Sequence, residues 1–378
     1  MSVVESPRSL SDLQRERDPR VVLFRALNLG DLLCTVPALR ALRRAAPGAG
    51  VTLVGLPWAS AFVERFAAYI DEFVEFPGHP EMPERLADSG ALETFLARMR
   101  ARGFDLAIQM HGSGEISNGI VKAFGARREA GYYPEGRVAP QGGTWLPWRA
   151  GVHEIDRYVS LMAAIGAAAA GTDLEFPVSA ADSDEVRGLA PAWLSDGTPY
   201  VVIHPGARMA SRRWPVERFA AVAGRLAGEG MRVAVTGSAS EAWLTAIVAT
   251  AARAHGADLA GATSLGGLAW IVGNARAVVT NDTGMSHVAA AVRTPSVVIA
   301  SGSEVERWRP LDRERHRVLF EPMPCRPCDA DECPFAGHPC ASAIGVETVV
   351  QELRKLLGRA DRVAPGQSAA VTPVGFVH

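Results

Sequence analysis

The chain has 378 residues, 48% hydrophobic and 21% charged, enough for two cores of ordinary domain size. Its 39 basic and 41 acidic side chains leave a net charge of −2, which gives no whole-molecule reason to expect a nucleic-acid partner. The first twenty residues mix charges with short apolar pieces and lack the continuous apolar core of a secretory leader, and no later run has membrane-spanning length without charge, Gly or Pro. These features predict a cytoplasmic protein with at most peripheral contact to the inner face of the membrane.

In chain order, residues 1–20 are expected to be a flexible lead-in. VVLFRA, VTLVG, EFVEF and DLAIQM follow as short β-type runs, with helical patterns at 37–46, 58–67 and 83–102 between them. Such alternation predicts a parallel sheet covered on both faces. Pro37 predicts that the helix after the first strand kinks or restarts. Residues 127–151 turn loopy and rich in Gly, Pro, Tyr and Trp, after which HEIDRYVSLMAAIGA resumes helical periodicity and GTDLEFPVSAADSDE looks like a linker. A second series then runs through YVVIHPGA, MRVAVTG, ADLAG, ARAVVTND and PSVVIAS. Two Rossmann-like domains are therefore expected, at 21–175 and 176–358, with parallel sheets facing across a cleft and a flexible tail at 359–378.

Ligands of such sheets bind beyond the carboxyl ends of the strands, and four strand ends carry unusual residues. The first runs into LNLGDLL, where Gly30 and Asp31 stand at a helix start. Backbone N–H groups there suit an anion, but a carboxylate would repel one lying directly on it. Asp31 is thus either a helix cap or a base that takes a proton from a nearby hydroxyl. After YVVI comes HPGARMASRRWP, in which Gly206 makes the turn and Arg208, Arg212 and Arg213 offer permanent charge to a diphosphate; one such Arg alone would be an ordinary exposed cation. Glu241, after the next strand, suits ribose hydroxyls or simply the first turn of a helix. NDTGMSHVAAA ends a buried strand, and the N–H groups of Thr283, Gly284 and Met285 at its helix start would face a phosphate, with Asp282 before them and His287 one turn on. Taken singly, this is a capped helix with a nearby histidine. No Walker A or GxGxxG pattern is present, which weakens NAD and ATP.

Cys325, Cys328, Cys333 and Cys340 crowd one segment beside His338, a composition that fits a structural zinc, less well an iron–sulfur cluster, or a loop of free thiols. Cys34 stands apart and suits a small buried apolar role.

Together these segments resemble glycosyltransferase family 9, the ADP-heptose:lipopolysaccharide heptosyltransferases, over residues 21–357. LNLGDLLCTVPALRALR, HPGA…RRWPVERFAAVA, NDTGMSHVAAA and the cysteine loop before IGVETVVQEL carry the likeness. The resemblance implies a GT-B fold and inverting transfer from a nucleotide sugar to a glycolipid or glycan hydroxyl, by a monomer that needs no catalytic cofactor. It assigns the base to Asp31, diphosphate stabilisation to Arg212 or Arg213 where relatives often have Lys, ribose contact to Glu241, and diphosphate and sugar contact to Asp282, Thr283, Gly284 and His287. The acceptor is then expected over the first half, near His111, Ser113, Glu115 and Asn118, with Lys122, Arg127 and Arg128 beyond them. Each of those basic residues alone also fits a solvated helix face. A nucleotide-sugar epimerase of the same architecture and a non-catalytic sugar-nucleotide binder are the competing expectations.

Overall fold

The computed structural model describes residues 19–360 apart from Asp88 and Ala190. The two terminal stretches expected to be flexible lie largely outside the described residues. Arg20, however, opens the first strand, and Arg359 lies in the last helix. The chain divides into two compact units after Asp173.

The first unit contains β1 (Arg20–Phe24), α1 (Leu29–Leu33), α2 (Val36–Ala45), β2 (Gly50–Gly55), α3 (Ala59–Arg65), β3 (Glu72–Glu75), α4 (Ser89–Ala101), β4 (Leu106–Gln109), α5 (Ser117–Ala123), β5 (Arg128–Pro134), β6 (Thr144–Trp148) and α6 (Glu154–Ala164). Its strands form a parallel six-stranded sheet in the order β3-β2-β1-β4-β5-β6. The order reverses between β1 and β4, so the loops after these two strands diverge and leave a crevice at their carboxyl ends. Pro37 does restart the helix: α1 stops at Leu33 and α2 begins at Val36 with the proline in its first turn, where the missing N–H costs nothing.

Three expectations for this half and the linker after it need correction. Residues 127–151 hold β5 and β6, because Tyr132, Trp145 and Trp148 favour a pleated, half-buried surface and Gly131 lets the neighbouring strands close in. A Cβ on Gly131 would lie 2.7 Å from the Gln109 Cβ and 3.0 Å from the Trp145 ring. The helix expected over 83–102 begins only at Ser89. The linker is shorter than its composition implied, since Ser179 caps a helix through the Asp182 N–H and its own N–H and hydroxyl go to the Asp182 carboxylate.

That helix opens the second unit as α7 (Ala180–Arg187). There follow β7 (Tyr200–His204), α8 (Val216–Gly228), β8 (Arg232–Val235), α9 (Ala242–Ala251), β9 (Gly256–Asp258), α10 (Leu265–Asn274), β10 (Ala277–Asn281), α11 (Gly284–Ala291), β11 (Ser296–Ile299), α12 (Val305–Trp308), β12 (His316–Leu319), α13 (Pro339–Ser342) and α14 (Val346–Ala360). The sheet is again parallel and six-stranded, ordered β12-β11-β10-β7-β8-β9, with its reversal between β7 and β10. The middle strand β10 is buried along its whole length, as a sheet covered on both faces requires. The sixth strand, β12, escaped the sequence analysis because HRVL is short and charged.

His316 at the start of β12 is buried with its Nδ1 2.8 Å from the Ser296 hydroxyl. Burial pulls its pKa down from 6.5 to about 4, Asp312 partly opposing and Arg315 adding to the fall. The unfolded chain therefore binds a proton here that the folded unit refuses between pH 6.5 and about 4, and stability is lost as pH falls through that window. The loss amounts to about 3 kcal/mol by the time the lower limit is reached. Urea titrations at pH 7 and pH 4.5 measure it, and His316→Gln is expected to shrink the difference between them.

Candidate active site

At the first switch point β1 leads into Arg25, whose side chain is 1% exposed. Its Nε donates to the Asp31 carbonyl at 2.8 Å, Nη2 lies 3.4 Å from Asp31 Oδ1 and 3.1 Å from Glu154 Oε1, and Nη1 reaches the Met110 carbonyl and the Tyr158 hydroxyl. Asp31 is the third residue of α1, and its Oδ2 accepts the Asn28 N–H at 3.3 Å. Of the two roles considered for Asp31 the cap is present: one oxygen caps the helix, the other faces Arg25, and the side chain keeps 17% of its surface. Gly30 is buried inside α1, a helix of five residues whose dipole is too short to make a strong anion shelf.

His111, after β4, belongs to the same crevice. Its Nδ1 accepts the Ala26 N–H at 3.2 Å, which puts the ring proton on Nε2, 3.7 Å from Glu84 Oε1, and the ring stacks on Phe24. Beside it lies a cavity of about 180 Å³ whose lining includes Ser113, Glu115, Glu81 and Glu84. The lining is acidic, and no Lys or Arg contributes to it.

The other expected acceptor contacts are placed elsewhere. Asn118 is a strut, its Nδ2 donating to the Tyr132 carbonyl at 2.9 Å. Arg128 pairs in register with Leu106 at the amino ends of β5 and β4, and Arg127 faces Asp105 there at 3.4 Å. Lys122 stands in the last turn of α5, which carries the chain back to that end. Arg127 and Arg128 lie a strand length, roughly 13 Å, from the carboxyl ends where Asp31 and His111 gather.

The second switch point is held by Asn281, fully buried at the end of β10. Its Nδ2 donates to the Pro205 carbonyl at 2.8 Å and the Gly206 carbonyl at 3.2 Å, and its Oδ1 accepts the Trp214 N–H at 2.9 Å. Three loop atoms of the HPGA…RRWP segment thereby hang on one amide. A Cβ on Gly206 would fall 2.2 Å from Glu241 Oε1, so a larger residue there would have to displace the Glu241 carboxylate. Glu241 Oε2 accepts the Ser238 N–H at 2.9 Å and the Ser238 hydroxyl at 2.7 Å, which aims Oε1 across the Gly206 turn. Burial holds the nearby His204 below its ordinary pKa, the Glu241 charge opposing, and its Nδ1 lies 3.1 Å from the Thr236 hydroxyl.

Asp282 follows Asn281. Burial pushes its carboxyl above the usual range, against a hydrogen bond from Ser303 and the charges of Arg212 and Arg326. The N–H expected from Met285 is taken by the Thr283 hydroxyl at 3.3 Å, because Thr283 is the N-cap of α11. The N–H groups of Thr283 and Gly284 remain as the donors at that helix start. His287 is buried one turn in, edge-on to the Trp308 ring at 6.2 Å, and belongs to the packing under the loop. Arg208 is exposed, and Arg213 donates to the Ala207 carbonyl at 2.9 Å.

Among the described residues the cysteine segment is not gathered into a metal centre, one of the readings its composition left open. Among the described residues no three His, Cys, Asp or Glu side chains are grouped to hold a metal ion. The segment instead braces the arginine loop: the Ser211 N–H donates to the Asp331 carbonyl at 2.9 Å, and Arg212 Nη2 donates to the Cys328 carbonyl at 2.6 Å. Cys34 is buried in the turn after α1.

Residues 93–338 match the model of glycosyltransferase family 9 (heptosyltransferase). The chain belongs to that family. It is 26% identical to lipopolysaccharide heptosyltransferase 2 of Escherichia coli K12, over 87% of this chain and 96% of the relative. Identity is also 26% with lipopolysaccharide heptosyltransferase 1 of Pseudomonas aeruginosa, over 84% of this chain and 88% of the relative. The solved ADP-heptose lipopolysaccharide heptosyltransferase II of E. coli superposes with a TM-score of 0.69 at 21% identity, covering 90% of this chain and 99% of that one. The family places the chain among the glycosyltransferases, with the two parallel α/β sheets of the GT-B type.

Sequence reasoning singled out Asp31 but passed over Arg25, which holds it, and Glu154, which pairs with Arg25, and it treated Asn281 only as a strand end. Arg25 carried a signal: a charged residue continuing an apolar strand is buried only if it is paired. Asn281→Ala is expected to leave the Trp214 N–H and the Pro205 carbonyl without this partner and to cost about 3 kcal/mol. Chemical denaturation of the purified variant measures the cost, and a loss below a quarter of that would show that the loops support themselves.

Proposed function

We propose that this family member is an inverting heptosyltransferase that moves a heptose from ADP-heptose to a hydroxyl of a lipopolysaccharide core or a related cell-surface glycan. The observation that carries the proposal is the division of chemistry between the two switch points. One presents a partly exposed carboxylate, Asp31, on a braced helix turn. The other gathers Gly206, Arg212 and the Thr283–Gly284 helix start around Asn281 and Asp282. The name of the E. coli structure, an ADP-heptose transferase, supports the choice of donor.

In this mechanism Asp31 accepts the proton of the acceptor hydroxyl as its oxygen attacks the anomeric carbon. The bond from that carbon to the diphosphate oxygen breaks, and its electron pair leaves with ADP on the opposite face, which inverts the configuration. Arg212, Arg213 and the N–H groups that start α11 meet the charge developing on the diphosphate, the task a divalent cation performs in other transferases. Glu241 Oε1, aimed by Ser238, accepts a ribose hydroxyl. His111 Nε2–H donates a hydrogen bond to an acceptor hydroxyl, and the carboxylates lining the neighbouring cavity accept hydrogen bonds from others.

Nucleotide release from ADP-heptose, GDP-sugars and UDP-sugars, measured with and without deep-rough lipopolysaccharide, tests the proposal. ADP release that depends on both ADP-heptose and the acceptor is expected. Asp31→Asn is expected to lower kcat by about 10² to 10⁴-fold while ADP binding persists. Turnover of the donor without acceptor would support epimerisation, and ADP binding without any turnover would support a silent binder.

A further inference from the structure

Arg25, Glu154 and Arg157 form a run of charges that leads from Asp31 into the core. Arg25 Nη2 stands between Asp31 Oδ1 and Glu154 Oε1, and Glu154 Oε2 lies 3.6 Å from Arg157 Nε. Exposure of the first three is 17%, 1% and 0% in the order Asp31, Arg25, Glu154, so the signs alternate from the crevice inward with water excluded after the first. Arg157 closes the run against Trp148, its guanidinium 3.6 Å from the ring centroid, and it donates to the Arg149 and Val152 carbonyls at 2.8 and 3.2 Å.

Two features exceed what packing alone requires. Arg25 grips a single residue twice, Nε on the Asp31 carbonyl and Nη2 towards the Asp31 carboxylate, so the planar fork sets both the helix turn and the side chain it displays. Glu154 is a fully buried carboxylate set between Arg25 at 3.1 Å and Arg157 at 3.6 Å, nearer to Arg25. Without it, the whole field of an unscreened guanidinium would fall on Asp31 and hold it as a weak base.

We propose that Arg25 and Glu154 are positioning residues for the base: Arg25 fixes where the Asp31 carboxylate points, and Glu154 offsets the Arg25 charge so that Asp31 keeps its proton affinity. This inference rests on Asp31 being the base. The other titratable groups around the run are Tyr158, whose hydroxyl bonds both Arg25 and the Met110 carbonyl, and Tyr132, whose hydroxyl donates to the Arg157 carbonyl. His153 caps α6 by accepting the Ile155 N–H, and His111 and Glu84 face one another across the adjoining cavity. Tyr132 is pushed up to about 12 by burial and stays neutral throughout the working range.

Two variants separate geometry from charge. Arg25→Lys keeps the charge but loses the fork, and is expected to lower kcat roughly 10 to 100-fold with the acid limb of the kcat profile in place and the KM for ADP-heptose unchanged. Glu154→Gln keeps shape and removes one negative charge. Its neighbour Asp31 then ionises more readily, so the acid limb moves to lower pH while the plateau kcat falls.

Wild type, both variants and Asp31→Asn are compared on ADP-heptose with deep-rough lipopolysaccharide. A wild-type kcat and acid limb in both variants, with only a lower melting temperature, overturns the inference and leaves these residues as structural supports. If Arg25→Lys does not fold, the acid limb of Glu154→Gln decides alone. Full activity in Asp31→Asn would instead remove the base assignment itself, an outcome distinct from an unmoved limb in Glu154→Gln.

Discussion

A guanidinium taken out of water must find partners for its donors or the fold does not form around it, and in the first unit that constraint falls on Arg25. The partners come from across the sequence: the turn after β1, the end of β4 at Met110, and α6 through Glu154 and Tyr158. Removing any one partner leaves a charge or a carbonyl stranded, so these segments are obliged to arrive together. The arrangement also explains why a helix of only five residues stays in place. The Asp31 carbonyl, near the end of such a short helix, would otherwise look to water, and Arg25 takes it instead.

The second unit answers the same problem with a neutral group. Asn281 stands at the end of β10 where its sheet reverses, the place that the loop after β4 occupies in the first unit. One amide with donors and an acceptor satisfies three backbone groups of the β7 loop. A neutral hub suits its surroundings. Arg212, Arg326 and Asp282 already crowd the loops around it, and another full charge would have to be balanced in turn. The first unit can keep a charged hub because α6 brings Glu154 to balance it.

The alternation of apolar runs and helices made two parallel sheets legible in the sequence, since period and composition report burial on both faces directly. Strands β5 and β6 were hidden because Gly and Pro mark loops in the absence of neighbours, whereas at Gly131 the missing Cβ is what allows the strands to pack. Among candidate residues, those at strand ends were found because a glycine or charge after an apolar run is conspicuous. Lys122, Arg127 and Arg128 were misplaced for a different reason. Nearness to DLAIQM in sequence suggested nearness to its carboxyl end, but α5 returns the chain to the amino end of the sheet before Arg127 is reached. Arg25 was read as strand, and its partners 129 and 133 residues away have no local signature.

The cysteine segment shows how composition can identify a structured element without revealing all of its work. Thiol spacing suggested ligands, but the interactions that tie this stretch to the fold are made mostly by its backbone and by Arg326. Arg326 Nη1 donates to the Ala300 carbonyl at 2.8 Å and Nη2 to the Ser303 carbonyl at 2.9 Å, which ties the segment to the loop after β11. The Cys328 N–H meets the Gly302 carbonyl at 2.7 Å, and the Cys328 carbonyl receives Arg212. A single residue therefore links the β11 loop to the arginine of the β7 loop through its two main-chain groups. Any movement of this segment changes where the Arg212 charge is held, so its sequence is constrained by the geometry of the arginine loop even where none of its sulfurs holds a metal.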